Sequence, residues 1–185
     1  TVEDIYAVAD ESQSYIAAIG ADIESDFGVT FKNPGLKDID TAREKMQRKG
    51  YVSSNQMTDI SRAGFVINKA DDADAIVARL ADNAEILDEG WNLTPDGYFD
   101  RKVLVRTPNG IVSEIQIWSP KMLEAKRSKG HDLYETRRTS TDPKVKEDLR
   151  QEMRNLYSAA LKSEDQSFQE LPGISKLPNV PENAD

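Results

Sequence analysis

Three groups of side chains in this sequence have types and spacing suited to chemistry. The first is Lys37, Thr41, Lys45 and Lys49, which recur at four-residue steps in "KDIDTAREKMQRKG", with Arg48 adjacent. On a helix this spacing puts them on roughly one face, and a row of cations suits a polyphosphate, whose charge must be neutralised and held. The second is Asp59, just before the apolar run "FVI", with Arg62 three residues on. A carboxylate at a strand edge is well placed to hold Mg²⁺. The third is Glu114 in "SEIQIW", which shares a strand face with Gln116 and Trp118 while Ile115 and Ile117 take the other. Glu114 can serve as a second carboxylate for the metal or as a base for a hydroxyl. Each group also has a plain reading: a solvated helix face, a turn-capping Asp59 paired with Arg62, and a diagonal Glu114–Lys102 pair across a hairpin. Taken together, cations, an acid at a strand edge and an acid on a neighbouring strand are what phosphoryl or nucleotidyl transfer needs.

The elements that must position these groups follow from periodicity. Residues 2–25 carry an apolar stripe (Ile5, Val8, Ala9, Tyr15, Ile16, Ile19), which predicts a helix. A second helix is expected from about Leu36 to Lys49, stopped by Gly50. "RAGFVINK" reads as a strand with Phe65, Val66 and Ile67 buried. Residues 71–87 read as a helix through Ile76, Val77, Leu80, Ala84 and Leu87. "GYFDRKVLVRT" and "GIVSEIQIW" read as a hairpin joined by Pro108-Asn109-Gly110. A three-residue loop sets Val103 opposite Ile115 and Val105 opposite Ser113, keeping the apolar face uniform. Helices are expected from Pro120 to about Arg138 and from Pro143 to Lys162, followed by a proline-rich irregular tail. The result is an α/β (α+β) layer fold, a mixed sheet flanked by helices.

Composition narrows the classes. The 185 residues carry a net charge of −9, which disfavours nonspecific duplex binding, although "KRSKGHDLYETRR" and the first cationic stretch offer a local basic patch. No apolar run reaches the length of a membrane span. With no cysteine and one histidine, thiol chemistry and a histidine metal site are excluded. The chain begins at Thr1, so it is expected to be a fragment of something larger.

Between Lys37 and Arg138 the sequence resembles the RelA/SpoT synthetase family, magnesium-dependent pyrophosphokinases that make alarmone nucleotides. The motifs stand in family order: Lys37-x3-Thr41-x3-Lys45, Asp59-Ile60, Gly97-Tyr98, Glu114-x-Gln116-Ile117, then His131 with Tyr134 in "GHDLYETRR". The resemblance implies a nucleotidyltransferase-like sheet and one synthetase domain over residues 1–172. It makes Asp59 and Glu114 the catalytic carboxylates and Mg²⁺ ligands, and puts ATP along Lys37, Thr41, Lys45, Arg48, Lys49 and Arg62. The acceptor then lies against Tyr98, Lys102, Gln116, His131, Tyr134 and Arg138, with its base stacked on Tyr98.

The chain departs from the housekeeping pattern. Gly35 stands where those enzymes have arginine, and Arg62 where they have a small residue. Asp100-Arg101-Lys102 replaces Ser-Leu-His, and Trp118 replaces arginine. This variant pattern looks like small or toxin-like members, found in secreted effectors and prophages. Such members imply transfer to GDP/GTP or to ADP/ATP, with the tRNA 3′ end and an inactive nucleotide-binding domain as alternatives. They also imply action in a bacterial cytoplasm after delivery as part of a larger secreted or phage protein, and an immunity or antitoxin partner. The family's hydrolase module needs more histidine than His131 alone.

Overall fold

The computed structural model describes residues 1–172; the proline-rich tail expected at 173–185 lies outside them. Helix α1 (Val2–Phe27) begins at a capping box formed by Thr1 and Asp4, and ends at Gly28, whose φ of 67° is the left-handed stop that glycine accepts most easily. Strand β1 (Thr30–Lys32) follows, then α2 (Ile39–Lys49), a 3₁₀ turn at Ser54–Gln56, β2 (Arg62–Val66) and α3 (Asp72–Asn83). Next come β3 (Glu85–Leu93), β4 (Phe99–Arg106) and β5 (Val112–Trp118). The chain closes with α4 (Pro120–Ala125), a π turn (Lys126–Gly130), α5 (His131–Thr139), α6 (Pro143–Lys162) and the short α7 (Gln166–Gln169). Among the described residues no helix is long and apolar enough to cross a membrane.

The five strands are ordered β1-β2-β5-β4-β3; β2 and β5 run parallel and every other pair is antiparallel. The architecture is therefore the mixed α+β sheet expected. The hairpin register also stands as read: Val103 opposes Ile115, Val105 opposes Ser113, and Gly110 takes the left-handed position at φ 86°. One sheet face is apolar, with Ala63, Phe65, Val103, Val105, Ile115 and Ile117 buried in a core shared with Ile16, Ile19 and Ile23 of α1 and Ile76 and Leu80 of α3. Strand alternation gives the opposite face to Arg62, Gly64, Asp100, Lys102, Glu114, Gln116 and Trp118. A second, smaller cluster of Ile5, Ala9, Ala42, Met57 and Ile60 fastens α2 to the first half of α1.

Four points of the sequence reading need correction. Helix α2 starts at Ile39, not near Leu36, because the Asp38 side chain accepts from the Thr41 backbone N–H and caps it there; Lys37 is therefore not on the helix. Helix α3 stops at Asn83, and Leu87, read as its last apolar position, is an exposed residue of β3. Strand β3 itself was not foreseen. Its alternation is broken by a register shift between Asp88 and Trp91, where Gly90 has φ 73°. Val66, read as buried, is only half-buried.

Candidate active site

The site is built on the polar sheet face and closed on one side by the segment before β2. Ser61 and Arg62 are pinned by Gln13 of α1, which is itself buried. Its Oε1 accepts from Ser61 Oγ and the Arg62 N–H, both at 3.0 Å, and its Nε2 donates to the Arg62 carbonyl at 2.8 Å and to Asn33 Oδ1 at 2.7 Å. That clamp fixes the chain two residues after Asp59. Lys37 is fixed through its backbone instead of by a helix. Its N–H donates to the Ile60 carbonyl at 2.9 Å, and its own carbonyl accepts from the Tyr6 hydroxyl.

These constraints bring two cations onto one carboxylate. Lys37 Nζ donates to Asp59 Oδ2 at 3.0 Å and Lys45 Nζ to the same oxygen at 2.9 Å. Asp59 is buried, and its Oδ1 is buried without a hydrogen-bond partner among the described residues. Burial pushes its carboxyl up, but the Lys45 and Lys37 ammoniums outweigh that and hold it below the ordinary aspartate range. Glu114 lies directly opposite Arg62 in the parallel β2–β5 register, and its backbone N–H donates to the Ser61 carbonyl at 3.1 Å. Its carboxyl moves the other way. Burial raises it, nearby Lys102 lowers it, and the negative charge of Asp59 raises it further. Two carboxylates thus share one site with their proton affinities pushed apart.

The predicted pairing of Asp59 with Arg62 is not made; Lys37 and Lys45 take that place. Of the cationic row, Lys37 and Lys45 converge on Asp59. Thr41 serves the cap of α2 through Asp38, and Arg48 and Lys49 lie exposed in its last turn. On the far side of the sheet face, a cleft of about 440 Å³ is lined by Tyr98, Lys102, Lys126, His131, Tyr134 and Arg137 among others. Four of the expected acceptor residues therefore share one cavity. Arg62 and Gln116 line a neighbouring cleft of about 270 Å³ with Trp118 and Lys126. Arg138 is held away from both by Glu135 at 2.5 Å and by Glu44 of α2 at 3.5 Å.

Lys126 was missed by sequence reasoning. It lies in a basic tract, "KRSKG", and only the π turn aims it inward. It lines both clefts, and its ammonium sits 5.2 Å from the centre of the Tyr98 ring and 5.9 Å from that of Trp118. Burial lowers the pKa of Lys126, against the pull of Asp100 and Glu114. Trp118, which the sequence left as either lid or core, is buried across β2, and a Cβ on Gly64 would come within 2.0 Å of its ring.

No family model matches the chain. A (p)ppApp synthetase toxin, Tas1, from Pseudomonas aeruginosa (strain UCBPP-PA14) is 25% identical over 141 residues; the match covers 72% of this chain and 32% of that protein. The solved complex of the type VI effector Tas1 with its immunity protein superposes with a TM-score of 0.67 at 22% identity, covering 86% of this chain and 96% of that one. Small alarmone synthetase 1 from Bacillus subtilis superposes at 0.61 and 19% identity, covering 86% and 90%. The fold is that of the RelA/SpoT-like synthetases. The synthetase resemblance carried by the motifs thus holds in sequence and in fold, toward a divergent, toxin-like member. The chain spans about a third of the length of the Tas1 protein it matches.

Proposed function

We propose that this chain is an ATP-dependent pyrophosphokinase that transfers the β,γ-pyrophosphate of ATP to a ribose hydroxyl of a purine nucleotide. The observation that carries the reading is the pairing of Asp59, held ionised by Lys37 and Lys45, with Glu114, whose carboxyl is raised in the same site. Environments that split two carboxylates in this way assign them different roles. Asp59 stays charged and offers its unpartnered Oδ1 as a ligand. Glu114 is the base that accepts the acceptor hydroxyl proton, since a raised pKa brings a base closer to working pH. The hydroxyl oxygen then bonds to the β-phosphorus as the bond to the α,β-bridging oxygen breaks and AMP leaves. Lys37 and Lys45 absorb charge on the phosphates.

Asp59 Oδ1 and Glu114 fit Mg²⁺. No cluster of three or more metal-ligating side chains exists among the described residues, and two carboxylates completed by phosphate oxygens and water suit this ion. When bound, the ion would be held by Asp59 and Glu114 and would supply positive charge that neutralises the phosphates. Arg62 is proposed on the donor side. The single synthetase domain over residues 1–172 is part of the same reading.

An adenosine nucleotide, ADP or ATP, is the acceptor proposed first, because the relative with the matching sequence is named a (p)ppApp synthetase. GDP and GTP come next. A toxin role, delivery within a larger protein and an immunity partner are proposed on the same likeness, since the effector Tas1 was solved with an immunity protein. The test is to incubate the protein with ATP labelled at the β,γ positions, Mg²⁺ and each of ADP, ATP, GDP, GTP and bulk tRNA, then resolve the products. Label transferred to a purine nucleotide, with AMP released, is expected. Label on tRNA alone would move the acceptor to that class, and no transfer at all would overturn the reading.

A further inference from the structure

Asp100 stands where the housekeeping pattern has a small serine, and its place after Tyr98 suggests a residue that reads the acceptor base directly. The structure does not allow that. Asp100 is 1% exposed and cannot touch a ligand in the cleft. Instead it is the hub beneath the cleft. Its Oδ2 accepts from the Tyr98 hydroxyl at 3.0 Å and from Gln116 Nε2 at 3.1 Å. The Tyr98 hydroxyl in turn accepts from Trp118 Nε1 at 3.0 Å. A single buried carboxylate therefore ties β4 to β5 through a tyrosine, a glutamine and, one bond further, a tryptophan.

The ring of Tyr98 is fixed from three sides. Its hydroxyl is held by Asp100 and Trp118, Tyr157 of α6 packs at 5.6 Å, and the Lys126 ammonium covers it at 5.2 Å. Gly130 makes room for Tyr157, because a Cβ there would lie 2.0 Å from the tyrosine oxygen. Asp100 also attracts Lys102 and Lys126. Burying a carboxylate is costly; burial raises the Asp100 carboxyl above the ordinary aspartate range, and Lys102, Tyr98, Lys126 and Gln116 offset part of that.

We infer that Asp100 is a positioning residue for the acceptor nucleotide: acting through Tyr98 and Gln116, it presets the aromatic platform and holds the Lys126 ammonium beside it. This rests on the pyrophosphokinase reading above. A platform fixed before binding removes the ordering cost that a mobile ring would impose on the acceptor. The role is invisible to the donor, whose proposed ligands Lys37 and Lys45 are fixed by Asp59 and by α2.

The experiment measures KM for ADP and for ATP as donor, with kcat, in wild type, Asp100→Asn, Asp100→Ala, Tyr98→Phe and the Asp100→Ala/Tyr98→Phe pair. Acceptor dissociation constants come from calorimetry. Losing a hydrogen bond to a charged group predicts an acceptor KM raised about 10- to 100-fold in Asp100→Ala, with donor KM unchanged. Asp100→Asn keeps shape and one acceptor oxygen, so it should fold and fall between wild type and Asp100→Ala. In the Tyr98→Phe background, Asp100→Ala should add less than it does in wild type, because the Tyr98 bond is already gone and only the Gln116 bond and the hold on Lys126 remain to be lost. Fully additive effects, equal changes in donor and acceptor KM, or an unchanged acceptor KM in Asp100→Asn and Asp100→Ala would each overturn the inference. If the wild type transfers pyrophosphate to no acceptor, the functional reading fails and takes this inference with it. If the wild type is active while the variants keep their acceptor KM, only the inference fails.

Discussion

The two sides of the candidate site are built to different standards. Glu114 and Asp100 ride on β5 and β4, strands bonded on both edges and backed by Val103, Val105, Ile115 and Ile117, all fully buried. Lys37 and Lys45 ride on the segment around α2, an eleven-residue helix with one buried residue, Ala42, held to α1 by a cluster of five. Proton transfer tolerates little misplacement, so the proposed base belongs on a rigid element. Cations that neutralise a polyphosphate can follow it, and a thinly anchored element suits them. The comparison makes a claim about local stability: β5 opens with the whole molecule, whereas α2 can open by itself.

The largest expected effect breaks the rigid side. Glu114→Gln keeps size and removes the proposed base, and its kcat should fall about 10²- to 10⁴-fold with the fold retained by circular dichroism. The pH dependence follows from the sign of the shift. The base must be deprotonated, and its folded pKa is raised, so activity is present above that raised pKa. It is lost at a higher pH than an ordinary glutamate would give as the medium is acidified. The acid limb of the kcat/KM profile, which reports groups of the free enzyme, should disappear in Glu114→Gln. An unaltered limb in that variant would assign it to another group.

Next comes the packing that shapes the rigid face. Gly64→Ala puts a methyl 2.0 Å from the Trp118 ring and 3.0 Å from the Gln116 carbonyl. Overpacking of this kind costs roughly 1–3 kcal/mol. Thermal denaturation should show that loss, and Trp118 emission should shift as the ring leaves its place. An unchanged melting temperature would mean the sheet face yields more easily than its packing suggests.

Much of this arrangement was legible in the sequence, and the gaps have physical causes. The β4–β5 register could be read because Gly110 marks a left-handed turn and only one register keeps Ile115 opposite Val103. Helix α6 carries its own bounds in Pro143 and Lys162. Strand β3 was hidden because Ala84 and Leu87 continue the spacing of α3, and the break at Gly90 erases strand alternation. The pairing of Lys37 with Lys45 was half-legible. Their spacing suggested a shared helix face, but Asp38 caps α2 after Lys37, and the two meet only because Asp59 draws both. The inward aim of Lys126 has no sequence signal, since a π turn sets it.

A smaller effect tests the flexible side. Lys37→Ala and Lys45→Ala should each raise the KM for ATP while sparing that for the acceptor, since both act at Asp59. Stability should respond to pH at the same place. The folded pKa of Asp59 is depressed, so its contribution is present above the ordinary aspartate pKa and is lost as pH falls through the depressed value. Asp59→Asn should flatten that acid-side loss in a series of denaturation curves. Equal slopes for wild type and variant would show that the two lysines do not hold Asp59 in solution.

The smallest effect sharpens the comparison most. The Tyr6 hydroxyl donates to the Lys37 carbonyl, one of few ties between α1 and the segment leading into α2. Tyr6→Phe removes that bond and keeps the ring, which packs against the small cluster. A hydrogen bond of this sort contributes about 1 kcal/mol net. If α2 opens locally, that loss falls on the local equilibrium and leaves global unfolding nearly untouched. Amide hydrogen exchange should therefore quicken in residues 39–49 by about fivefold while Ile115 and Ile117 exchange as before. The KM for ATP should rise slightly, because Lys37 is less often in place. If Ile115 and Ile117 quicken by the same factor as α2, the two sides open together and the division between a rigid base and yielding cations does not hold.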